Sequence, residues 1–209
     1  CTPASFNNMV PLASLLRHIM PVIPQLPHDM VLDRVRQSYT EFARRTGLVV
    51  AKLTQDYQAG VNDYALVPPT GYEVYSVVGI ESPGYRFVDY WRGDNFGLWN
   101  TRFDVVDNKS IYIRSAPSVD QEDGLTVYVV LLPTPCTDMI PESIATPYGK
   151  GITEGVLAEL MLIPNKPYTS PGIARIHQLE FNKIILAGKH LAETNRKQGP
   201  LRAKRIRVV

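Results

Sequence analysis

DMVLDRVRQSYTEFARRTG, residues 29–47, runs directly into LVVAKLTQ, residues 48–55, and the hydrophobic period changes at the junction. In the first part Val31, Leu32, Val35, Tyr39, Phe42 and Ala43 fall within about 120° of one helical face at ~100° per residue. Arg34, Gln37, Glu41, Arg44 and Arg45 take the opposite side. Asp29 is the expected N-cap, the basic residues of the last turn suit the helix dipole, and Gly47 ends the helix. From Leu48 onward Val, Ile, Tyr and Phe become frequent, and Gly, Asn and Asp recur at short intervals, which is the pattern of strands and turns.

Reading onward to Pro133, the expected strands are 49–55, 64–66, 72–81, 85–91, 102–106, 110–114 and 125–132. Asp107-Asn108 is expected to turn one hairpin, since both residue types tolerate positive φ. The acidic run Asp120-Gln121-Glu122-Asp123-Gly124 is expected to turn the next. Short antiparallel strands joined by tight turns predict a small sandwich or barrel. Tyr85, Phe87, Tyr90, Trp91, Phe96 and Trp99 crowd one stretch and read as core or interface filler.

After Pro135 the helical period returns. Thr146-Pro147 is a cap with proline at the first helical position, predicting a helix to about Ile163. Gly149, Gly151 and Gly155 in that helix suit close approach of a neighbouring backbone. Ser170-Pro171 repeats the signal for a helix to about Asn195. On it Ile173, Ile176, Ile184, Ala187 and Leu191 share one face, with Leu179 and Leu186 roughly opposite. Apolar surface on two sides predicts two sets of contacts, one within the subunit and one between subunits. Before the first strong helix, residues 11–20 are expected to form a short one.

The fold class expected from this order is α+β. Residues 1–47 and 134–195 make a helical body, 48–133 an inserted antiparallel β-rich sandwich or barrel-like domain, and 196–209 a basic extended C-terminal arm. At 209 residues, with 44% hydrophobic and 20% charged content, the chain is long and apolar enough to bury a real core. Its 17 prolines exceed the usual share of roughly 5% and gather at segment boundaries, where they act as punctuation. The longest apolar run, Val127 to Leu132, suits a buried strand and falls far short of the ~20 residues of a membrane span. The stretch from Leu12 to Ile23 is broken by Arg17, His18 and Pro21 and does not read as a secretion signal. Two cysteines, Cys1 and Cys136, make neither a disulfide framework nor a zinc site, and a reducing compartment is expected.

Motifs for catalysis are sparse. His177 and Glu180 form an H-x-x-E on a helix, but Phe181 stands where zinc hydrolases carry the second histidine. The pair is expected to be a satisfied polar contact at an interface. There is no G-x-S-x-G elbow, Walker loop or dinucleotide-binding glycine motif. No catalytic residue, metal ligand or cofactor is expected.

The tail carries the clearest charge signal. Arg196, Lys197, Arg202, Lys204, Arg205 and Arg207 stand in the last fourteen residues without an acid. Subtracting these six cations from the net charge of +2 leaves the remainder at −4. Such asymmetry reads as a solvated terminus, as a DNA-phosphate binder, or as an arm for an acidic protein groove. Leu201, Ile206, Val208 and Val209 interrupt the charges, which favours strand addition or groove insertion with guanidinium–carboxylate pairing.

The pattern Leu-Pro-x-x-x-Val-Leu-Asp-x-Val-Arg-x-Ser-Tyr-x-Glu-Phe-Ala-Arg-Arg-Thr over 26–46 resembles the opening of phage head-to-tail adaptor proteins. Tyr64-Ala-Leu-Val-Pro-Pro-Thr-Gly-Tyr-Glu-Val resembles their strand–turn–strand. Ile163-Pro-Asn-Lys-Pro-Tyr, a long helix and the basic Leu201-Arg-Ala-Lys-Arg tail give a third match. Together these cover most of the chain in the same order. The resemblance implies a ring, commonly of twelve copies, beneath the portal in the virion neck, assembled in the host cytoplasm. The ring extends the channel for genomic DNA without sequence-specific binding and offers a landing surface to tail or nozzle proteins. It also implies that the C-terminal arm docks on the portal. No membrane, cofactor or catalytic residue is implied. For the contacts between copies, the two-sided helix supplies Ile173, Ile176, Leu179, Ile184 and Leu186. A DNA-binding structural protein using the basic tail is the alternative.

Overall fold

The computed structural model describes residues 8–82, 103–114 and 116–197. It is a mixed α+β fold with antiparallel sheets. The chain opens with β1 (Met9–Pro11), a 3-10 turn (Leu12–Leu15) and a short α1 (Leu16–Ile19). The long α2 (His28–Thr46) follows, then β2 (Val50–Tyr57), β3 (Asp63–Ala65), β4 (Tyr72–Glu81), β5 (Phe103–Val106), β6 (Ser110–Ile113) and β7 (Gln121–Pro133). A short β8 (Met139–Pro141) leads straight into α3 (Glu142–Leu160), and α4 (Pro171–Lys197) completes the described chain.

α2 buries Val31, Val35, Tyr39, Phe42 and Ala43, the face expected from its period, together with Ser38 and Thr46. Its start differs from the expectation. The residue flanking the helix is Pro27, whose extended backbone (φ −59°, ψ 137°) lets its carbonyl accept the Val31 N–H, so Asp29 lies inside the first turn. There its charge still favours the positive end of the dipole. Gly47 closes the helix at φ +60°, a left-handed geometry that glycine adopts without a Cβ clash.

β7 is the centre of a three-stranded sheet in the order β2-β7-β4, and β6 is the centre of a second in the order β3-β6-β5. Among the described residues there is no closed barrel, so the barrel form of the expected insertion is corrected. The reason is visible in the pairing: among the described residues each set of strands is an open antiparallel sheet, and no ladder joins one sheet to the other. Asp107 and Asn108 turn β5 into β6 with positive φ of 49° and 55°, as expected, and Asn108 Nδ2 also donates to the Tyr75 carbonyl of β4 at 2.9 Å. The acidic run is not a hairpin turn. Gln121 through Gly124 belong to β7, Gln121 pairs with Tyr57, and the register slips between Gln55 and Tyr57. Asp123 takes φ +51° there, and its N–H donates to Asp56 Oδ1 at 3.1 Å. The strand expected at 85–91 and the aromatic stretch 85–99 lie outside the described residues.

A joint connects sheet to helices. Tyr39, wholly buried on α2, lies 3.2 Å from the Tyr72 hydroxyl, which donates to the Met139 carbonyl at 2.9 Å. Arg36 donates to the Thr137 carbonyl at 3.2 Å and pairs with Asp33 and Asp138. These contacts fix residues 137–139 against α2, and β8 pairs with β1 to form a two-stranded ribbon.

α3 starts earlier than Thr146-Pro147. The Glu142 N–H donates to the Asn8 carbonyl at 2.9 Å, and Asn8 Nδ2 donates to Glu142 Oε2 at 3.2 Å, so the β1 end of the chain secures the first turn. Pro147 therefore sits inside the helix and removes one backbone donor from it. Elsewhere α3 is buried on most of its circumference, and one apolar cluster runs through helices and both larger sheets. No helix among the described residues is long and apolar enough to cross a membrane.

Candidate interaction surface

Ser170-Pro171 opens α4 as expected, with the Ala174 N–H donating to the Ser170 carbonyl at 2.9 Å. The helix runs for 27 residues. Its core-facing seam is Ala174, Phe181, Ile185, Gly188 and Ala192, with His177 and Ile184 half-buried beside it. This corrects the expected face. Ile173, Ile176 and Leu191 are exposed, and of that set Ile184 is the large side chain turned toward α3. Small residues define the seam because the helices approach closely. A Cβ on Gly151 would lie 2.8 Å from Ile184 Cγ2, and one on Gly155 would lie 2.5 Å from Ser38 Oγ and 3.1 Å from the Phe181 ring. Side chains of α2 and α4, rather than the neighbouring backbone expected, are therefore what sit on these glycines of α3.

His177 Nδ1 lies 2.5 Å from Glu154 Oε2, with both side chains 19% exposed. The partner of His177 is therefore on α3, and Glu180 instead pairs with Lys183 one turn along its own helix. The expected His177–Glu180 contact is replaced because His177 lies on the inner seam while Glu180 faces solvent.

The outward side of α4 carries Ile173, Ile176, Leu179, Leu186 and Leu191, exposed by 42% to 67%. Four of the five residues assigned to a subunit interface point outward, and Ile184 does not. Met30 (48% exposed) on α2 and Leu162 (58%) just past α3 add apolar surface elsewhere. Arg34 on α2 pairs with Glu159 on α3 at 3.7 Å. Burial pushes the Glu159 carboxyl above the usual range, Arg34 draws it down, and Glu41 raises it again.

The backbone of α4 reaches Lys197, so Arg196 and Lys197 begin the arm on its last turn. The side chains of both, and all of Leu201, Arg202, Lys204, Arg205, Ile206, Arg207, Val208 and Val209, lie outside the described residues.

An open groove of about 570 Å³ lies at the far end of β2, lined by Asp56, Tyr57, Val61, Asp120 and Glu122 among others. Two of its carboxylates have structural duties: Asp120 Oδ1 accepts the Ala59 N–H at 2.7 Å and Asp56 Oδ1 that of Asp123. Among the described residues no group of three His, Cys, Asp or Glu side chains could hold a metal ion. Cys136 is a free, exposed thiol. A scan against protein-family models and a search of curated proteins found no match.

Proposed function

We propose that this chain is a structural protein of a phage neck. Copies of it form a head-to-tail adaptor ring that docks on the portal, continues the DNA channel and offers tail or nozzle proteins an attachment surface. The observation that carries this reading is the course of α4. Its inner seam roots it on α3, its outer side is apolar, and its last turn leads into the basic segment 196–209. A long helix with apolar residues on both sides is suited to an assembly in which a neighbour covers the outer side. The basic segment then inserts into an acidic groove of the portal, with electrostatics aiding capture. The two three-stranded sheets pack as a small sandwich, a reading supported by their shared apolar cluster and by the Tyr57 and Tyr64 rings 5.8 Å apart.

The test is the solution mass of the protein by light scattering, alone and mixed with portal protein from the same virion. A stable complex is expected, and deletion of residues 196–209 should abolish it while the circular dichroism spectrum persists. Normal attachment by the truncated chain would refute the arm's role. Binding to DNA instead, steeply weakened by salt and lost when Arg202, Lys204, Arg205 and Arg207 become Ala, would transfer the function to phosphate neutralisation.

A further inference from the structure

We draw no further inference here: the strongest candidate, the open groove at the far end of β2 lined by Asp56, Asp120 and Glu122, is an acidic cluster in which Asp56 and Asp120 already accept backbone N–H groups, and nothing else among the described residues points to a ligand for it.

Discussion

Replacing Tyr72 by Phe should cost more than replacing Tyr39, although Tyr39 is the more deeply buried of the two. Because the Tyr72 hydroxyl donates to the Met139 carbonyl, the Tyr39 hydroxyl is the donor in the contact between the two rings. Tyr39→Phe removes only the head of this chain, at about 0.5–1.5 kcal/mol. Tyr72→Phe takes the acceptor from a buried O–H and the donor from the Met139 carbonyl, and should cost about 1–3 kcal/mol at neutral pH. Alkaline pH gives a second reading of the same contact. Burial pushes the Tyr72 hydroxyl up to about 12, with the bond from Tyr39 pulling it down, and burial pushes Tyr39 well above its ordinary value. Both folded values exceed the unfolded value of ~10, so between these limits the unfolded state binds fewer protons and stability falls as pH rises. For Tyr72 alone the loss is about 1.4 kcal/mol by pH 11. Urea unfolding from pH 7 to 11 measures both effects, and Tyr72→Phe should flatten the alkaline decline. If Tyr39→Phe proves the costlier change at pH 7, or if the decline is unaltered in Tyr72→Phe, the donor order is wrong.

The glycine seats give a contrast within one residue type. Gly151→Ala and Gly155→Ala should each destabilise by about 1–3 kcal/mol in urea unfolding despite better helix propensity, because the new methyl meets Ile184 or Ser38 and Phe181. Gly172→Ala meets nothing within 4 Å and should stabilise by about 0.5 kcal/mol. A double-mutant cycle on His177→Ala and Glu154→Ala should return a coupling of about 0.5–3 kcal/mol, and additive effects would show that the pair does not hold α3 to α4.

What could be read from the chain was whatever local chemistry dictates. The apolar face of α2, the span Tyr72–Glu81, the Asp107-Asn108 turn and the Ser170-Pro171 helix start all follow from periodicity, turn residues or capping. What could not be read depends on distant partners. The start of α3 is set by Asn8, at the other end of the described chain, which overrides the Thr146-Pro147 signal. The inner seam of α4 is made of Ala174, Gly188 and Ala192 as much as of large side chains, so a search for bulky aliphatics favours the outer stripe. His177 finds Glu154 across the α3–α4 hairpin, a match that H-x-x-E spacing conceals. In the candidate surface the outward residues were legible and Ile184 was not, since its inward turn depends on the space above Gly151.

The ribbon of β1 with β8 has a consequence for synthesis. Asn8 and Glu142, which tie its end, are 134 positions apart. At ~5–20 residues per second, the early segment emerges from the ribosome roughly 7–27 s before its partner exists. Contacts of such separation are also slow to form in the completed chain. The strand that leads the described chain is therefore expected to be the last to dock. Until then the apolar residues behind it, Leu12 and Leu15, have α2 but not yet α3 to cover them.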